Sequence, residues 1–289
     1  MKKVSNIYLY VGLAVLITIA AGCFVRINKT YKIEKKNYRI TQKIGKKLSM
    51  KNDIFRLGEL KFYVPNYPMD FIQNAIVESE NFYEINELQE VDKILPNSPV
   101  ILDVGANVGN HTLYWALRSP KKAKHIYSFE IIDETYEILK RNIEINNLQK
   151  RVTAFDFGLS NVNSSAKVQQ KSDSFQSCCA ILEEGEGAYR FKKLDDVRIA
   201  EKKIDLIKID VEGQEVKVIE GAKKFLTKYK PLIWVELWPE DTDKLWVEGI
   251  RGNRAKYKAL MDELGYEMVL KLNDGNFIYQ HKSTIKENI

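Results

Sequence analysis

The chain has 289 residues, 45% hydrophobic and 29% charged, enough to bury a substantial core in one large domain or two small ones. That composition excludes disordered, collagen-like and disulfide-scaffold classes, and three cysteines, with Cys178 beside Cys179, fit neither a disulfide framework nor zinc spacing and read as reduced thiols. The net charge of +6 is uneven: residues 1–51 hold 12 Lys/Arg against one acid, Glu34, so the remaining 238 residues are mildly acidic and present no nucleic-acid footprint.

Ile7 to Val25 is a 19-residue stretch without a charge. At about 1.5 Å per residue it matches the hydrocarbon thickness of a bilayer, which predicts a transmembrane anchor within residues 1–27. Lys2 and Lys3 precede it, whereas seven Lys/Arg lie between Arg26 and Lys43, so the positive-inside tendency puts the carboxyl side in the cytoplasm. The expectation is a single-pass membrane protein with its catalytic domain on the cytoplasmic side. The rival is a lipoprotein-type export signal, with Ala20, Ala21 and Gly22 ahead of Cys23. Residues 28–51 then read as a basic juxtamembrane stem, solvated or lying on an anionic leaflet of the lipid bilayer, where each Lys/Arg contributes about 1 kcal/mol.

Residues 52–99 form a lead-in, with strand and turn signals in FRLGELKFYV and a helical pattern from about Asp70 to Leu95. Residues 100–282 alternate regularly. Apolar runs at VILDV (100–104), HIYSFE (125–130), RVTAFDFGL (151–159), IDLIKIDV (204–211) and PLIWVEL (231–237) predict strands, with helical patterns between them. YEMVLKL, NDGN and FIYQHK close the chain as a hairpin. The pattern predicts an α/β fold with a parallel sheet covered on both faces, whose ligands sit beyond the carboxyl ends of the strands.

Those strand ends carry the chemistry. Asp103-Val104-Gly105-Ala106-Asn107-Val108-Gly109 ends one strand and opens a helix. Neither G-x-G-x-x-G nor G-K-[ST] is present, and Asp103 would repel a pyrophosphate while favouring an ammonium or sulfonium. Glu130 ends the next strand, placed to accept ribose hydroxyls. Together they describe a nucleoside with a cationic tail, which S-adenosylmethionine satisfies and NAD does not. Asp156 is a candidate for an adenine amino group, or a turn cap. In Lys208-Ile209-Asp210-Val211-Glu212-Gly213, strand alternation puts Lys208, Asp210 and Glu212 on one face. They form either an internal ion pair or, with Glu236 on the neighbouring strand, a set of carboxylates that orients and deprotonates an acceptor hydroxyl. Asp210 and Glu236 are also candidate oxygen ligands for a divalent metal.

VILDVGANVGNHT, the FE of 129–130, the LDD of 194–196 and IDLIKIDVEGQEVKVIEGAKKFL…KPLIWVE resemble the FkbM family of S-adenosylmethionine-dependent methyltransferases. The resemblance implies a class I methyltransferase (Rossmann-like) fold, a doubly wound, mostly parallel seven-stranded sheet with a reversed carboxyl-terminal hairpin, here preceded by the transmembrane helix. It implies O-methylation of a hydroxyl, often on a sugar or polyketide. Asp103, Gly105, Asn107, Gly109 and Glu130 would hold the cofactor, and Lys208, Asp210, Glu212 and Glu236 would face the acceptor. Glu84 and His111 are further candidate cofactor neighbours, alongside plain roles as cap or surface residues. Two positions depart from the family: Ile131 stands where proline commonly follows the glutamate, and Gly158 where alanine is usual. With a membrane anchor, the expected acceptor is a glycan or glycolipid. A dehydrogenase and a non-catalytic cofactor-binding scaffold are the competing functions.

Overall fold

The structure is a computed structural model that describes residues 29, 32–33, 35–170, 181–237 and 253–285. The chain divides at Lys51/Asn52 into two units. In the first, the basic stem carries a helix, α1, over residues 35–49. The expected membrane topology is corrected: among the described residues no helix is long and apolar enough to cross a membrane. The apolar stretch 7–25 and the cysteines at 23, 178 and 179 lie outside the described residues.

The second unit opens with a hairpin, β1 (Ile54–Leu57) and β2 (Leu60–Tyr63), turned by Gly58 at φ +66°. The helical pattern expected over 70–95 is two helices, α2 (Phe71–Ser79) and α3 (Ile85–Ile94). Asp70 caps the first by accepting from Gln73 N at 2.8 Å. Glu80 (φ 52°) and Glu84 (φ 56°) are both left-handed and break the run between them. Amphipathic periodicity continues across the break, so the sequence conceals it.

The core elements follow as β3 (Val100–Val104), α4 (Asn110–Leu113), β4 (His125–Phe129), α5 (Asp133–Ile145), β5 (Val152–Phe155), β6 (Gly158–Leu159), β7 (Ser164–Gln170), β8 (Ile181–Glu184), β9 (Tyr189–Lys192), β10 (Leu206–Ile209), α6 (Glu215–Glu220), α7 (Lys223–Tyr229), β11 (Leu232–Glu236), α8 (Asn253–Glu263), β12 (Tyr266–Lys271) and β13 (Asn276–His281). α4 widens into a π turn over Tyr114–Arg118. The main sheet has seven strands in the order β12-β13-β11-β10-β3-β4-β5. β11, β10, β3, β4 and β5 run parallel, and β13 inserts antiparallel between β11 and β12. This is the Rossmann-like class I methyltransferase arrangement. β6 to β9 form a separate four-stranded sheet.

Strand alternation divides the main sheet into an apolar face and a mixed one. Val100, Leu102, Val104, Phe129, Ile207, Ile209, Ile233 and Val235 pack with Val218, Phe225, Leu226, Tyr257 and Met261 of α6, α7 and α8 in one buried cluster. The intervening residues include Asp103, Ser128, Lys208 and Trp234, all buried. Register sets Lys208 beside both Asp103 and Trp234, and Asp103 beside Ser128. Four polar side chains thus line up across the sheet at the height where the strands end.

Candidate functional site

One cluster of the expected site residues is built on the β3–α4 turn. Asp103 is fully buried; its Oδ2 accepts from Thr112 Oγ1 at 2.6 Å, and Thr112 in turn lies 2.8 Å from Ser128 Oγ. Its Oδ1 has no hydrogen-bond partner. A buried anionic oxygen left open in this way is costly unless a ligand or cation meets it. Glu130, also buried, accepts from Asn107 N at 2.9 Å and Ile132 N at 2.8 Å. Burial pushes its carboxyl up to about 7, against the pull of those amides and with Asp103 adding to the rise.

The two glycines of the turn also meet neighbouring elements closely. Gly105 (φ +80°) lies so close to the end of β10 that a Cβ would stand 1.8 Å from the Asp210 carbonyl oxygen. Gly109 (φ +93°) lies against α5, where a Cβ would stand 2.8 Å from Leu139 Cδ1. Both serve packing as well as the turn. Asn107 takes a left-handed conformation between them and accepts from Val108 N through its own side chain.

A second cluster is built at the ends of β10 and β11. Lys208 Nζ bonds Asp210 Oδ2 at 2.8 Å, the lysine buried and the aspartate about a quarter exposed. Burial opposes the Lys208 charge, yet Asp210, Asp103 and Glu84 together hold its ammonium above the ordinary range. Burial likewise disfavours ionised Asp210, but Lys208 and a hydrogen bond from Glu236 outweigh it and hold the carboxyl low. Glu236 moves the opposite way, raised first by the Asp210 charge and then by burial. The result is a pair of acids pushed in opposite directions, the lower one anchored by Lys208.

Glu212 departs from the expectation. β10 ends at Ile209, and Glu212 sits in the following turn at φ 54°, so strand alternation no longer sets its direction. Asp156 is exposed and ion-paired to Arg190 at 2.8 Å, and it follows Phe155, whose carbonyl accepts from Glu130 N at 3.1 Å. Glu215 of the same DVEGQE block is buried instead, accepts from Gly213 N at 2.9 Å, and is raised to about 7 by burial. The LDD block serves the scaffold: Asp195 accepts from Lys224 N (3.1 Å) and Phe225 N (2.7 Å), capping α7.

The lead-in closes over this face. Asn110 holds Tyr83 by both backbone groups, accepting from its N at 2.9 Å and donating to its O at 3.0 Å. Glu84 Oε2 lies 3.1 Å from His111 Nε2. His111 packs edge-on to Trp234 and close to Trp115. Glu84, Glu236 and Asp210 all act on the Tyr83 hydroxyl, which burial raises first and these acids raise further. Tyr83 was missed by sequence reasoning; its only signal was its place beside Glu84.

Among the described residues, no group of three or more His, Cys, Asp or Glu side chains is disposed to hold a metal ion. Asp210 is ion-paired to Lys208 and takes a hydrogen bond from Glu236, so a cation already meets it, which does not fit a metal centre. A cationic nucleoside does fit: the open Asp103 oxygen and the Glu130 carboxyl offer it oxygen acceptors at the ends of adjacent strands.

Similar proteins bear on this site. Methyltransferase sdnD of Sordaria araneosa is 28% identical over 211 residues, covering 60% of this chain and 76% of that protein. Methyltransferase 1 of Beauveria bassiana is 26% identical over 206 residues, covering 62% and 76%. Among solved structures, methyltransferase FkbM from Methylobacillus flagellatus KT aligns with a TM-score of 0.47 at 16% identity over 70% of this chain, which spans about half (49%) of that one. The sequence model described as the methyltransferase FkbM domain matches residues 103–279, from the first acid of the cofactor turn to the strand that completes the sheet. The chain belongs to the FkbM methyltransferase family.

Proposed function

We propose that this protein uses S-adenosylmethionine to methylate a hydroxyl oxygen of a glycan or glycolipid. The observation that carries the reading is the Lys208–Asp210 ion pair at 2.8 Å at the end of β10, beside Glu236 at the end of β11 and with Lys208 in register with Asp103. Asp103 and Glu130 hold the nucleoside with its positive end toward β10. When bound, S-adenosylmethionine supplies an electrophilic methyl carbon and a neutral thioether leaving group.

The chain's own residues then position an oxygen and take its proton. Asp210 is charged and accepts the hydroxyl; Lys208 fixes its direction, and Glu236 bonds it. As the carbon–oxygen bond forms and the carbon–sulfur bond breaks, its electron pair stays on sulfur and the hydroxyl proton passes to Asp210. Alignment supplies most of the acceleration, up to about 7–11 kcal/mol for well-oriented reactants. Gly105 against the Asp210 carbonyl ties the cofactor turn to the acceptor acid, so the two are placed together.

The test is to incubate the full chain with methyl-labelled S-adenosylmethionine and separated cell fractions. Label in a glycan or glycolipid fraction, stable to mild base and accompanied by S-adenosylhomocysteine, is the expected result. Label in protein or nucleic acid would overturn the acceptor; cofactor binding without any release of S-adenosylhomocysteine would favour the scaffold instead.

A further inference from the structure

Two buried polar atoms beside the β3–α4 turn have no hydrogen-bond partner among the described residues: Asp103 Oδ1 and His111 Nε2. Asp103 is fully buried and His111 is 6% exposed, so each atom is costly unless a ligand meets it. The two side chains are tied together through Thr112, which follows His111 on α4 and donates to Asp103 Oδ2 at 2.6 Å. Glu84 joins them from the lead-in. Its Oε2 lies 3.1 Å from His111 Nε2, yet the contact makes no well-angled hydrogen bond.

The surroundings fix these groups in place. The His111 ring stands edge-on to Trp234, centroids 5.2 Å apart, and 5.8 Å from the ring of Trp115. Trp234 is in register with Lys208, and Lys208 with Asp103. The Lys208 ammonium in turn feels the charges of both Asp103 and Glu84. The open acid, the imidazole and the lead-in acid therefore border one buried cluster. Glu84 is left-handed at φ 56° where α3 begins, and Asn110 clamps the preceding Tyr83 by both backbone groups. Such a backbone conformation persists where the surroundings over-determine it.

The set offers two carboxyl groups and one imidazole. A lone anion would be repelled by the two acids, and a lone cation would leave the imidazole unmet. A zwitterion satisfies both. In an α-amino acid the ammonium and the carboxylate flank a single carbon, so they reach an acceptor and a donor that stand side by side, as Glu84 and His111 do. We propose that Asp103, Glu84 and His111 form the subsite for the amino-acid end of S-adenosylmethionine, the two acids taking its α-ammonium and His111 its α-carboxylate. The inference rests on the S-adenosylmethionine reading and deepens it by assigning the residues that hold the zwitterionic tail. The family match starts at Asp103, so Glu84 is a contribution of the lead-in.

The experiment is calorimetric titration of the full chain with two probes, S-adenosylhomocysteine and 5′-methylthioadenosine. The second keeps the nucleoside and the sulfur and lacks the amino-acid end. The wild type should bind S-adenosylhomocysteine about tenfold or more tightly than methylthioadenosine, as charge-assisted hydrogen bonds to the tail require. Glu84→Gln and His111→Gln should each weaken S-adenosylhomocysteine about fivefold or more and leave methylthioadenosine within about twofold. Equal wild-type affinity for the two probes would overturn the subsite whatever the variants do. Variants that weaken neither probe, or both alike, would also overturn it, the second outcome marking a purely structural role. Wild-type affinity for neither probe would overturn the cofactor reading beneath it, and the subsite with it.

Discussion

Ile131 occupies the space that a side chain at position 158 would need. A Cβ built on Gly158 falls 2.9 Å from Ile131 Cδ1 and 2.8 Å from Phe191 Cε1. These are the two positions where the sequence departs from the family resemblance, and the structure joins them: the larger residue after Glu130 is matched by the smaller one at the start of β6. Gly158→Ala should destabilise by about 1–3 kcal/mol through overpacking. Adding Ile131→Val, which deletes the Cδ1, should recover part of that loss. Denaturant midpoints of the two single variants and the double variant check it; strict additivity would deny the coupling.

Asp210→Asn keeps the shape of the acid and removes its charge. Methyl transfer should fall by about 10²–10⁴, the usual contribution of a positioned base, while the dissociation constant for S-adenosylhomocysteine stays within about twofold. Glu236→Gln, which still donates a hydrogen bond to Asp210, should retain far more activity than Glu236→Ala. Single-turnover rates and calorimetry on the same preparations separate the two effects.

Glu130 and Glu215 are each raised from an ordinary 4.5 to about 7, with burial as the main cause. Between those values the unfolded chain releases protons that the folded chain retains. Each group therefore favours the fold fully below pH 4.5, and its contribution is lost as pH rises through 7. At 1.36 kcal/mol per pH unit the loss approaches about 3 kcal/mol per group. Relative to wild type, Glu130→Gln should gain stability between pH 5 and pH 8. Melting temperatures across that range read the slope, and parallel curves for the two proteins would refute it.

Asp195 caps α7 through two backbone amides. Asp195→Ala should cost about 0.5–2 kcal/mol of stability and leave kcat and KM unchanged at a temperature where the protein stays folded. A change in KM at full folding would show that the LDD block reaches the site after all.

Much of this was legible from residues alone. Near-continuous apolar runs marked the strands, because a sheet buried on both faces leaves little room for alternation. The break between α2 and α3 was hidden because left-handed glutamates carry none of the signature of glycine or proline. The pairing of Lys208 with Asp103 depends on register between strands about 100 residues apart, which no local pattern encodes. Glu212 was misplaced because alternation was extended beyond the last paired residue of β10. The role of Gly105 was half visible: a turn was expected, whereas contact with the Asp210 carbonyl is tertiary.

The insertion of β13 between β11 and β12 sets the order in which the enzyme becomes competent during synthesis. Asn276 opens that strand, pairs in register with Glu236 and accepts from Trp234 Nε1 at 2.6 Å. The wall around Asp210 and Glu236 is therefore finished by the last strand of the sheet to leave the ribosome. A translation product cut short before that strand would carry every residue of the cofactor turn and still lack a braced acid pair. Chains cut short before Asn276 should therefore bind the cofactor turn's ligand without transferring a methyl group.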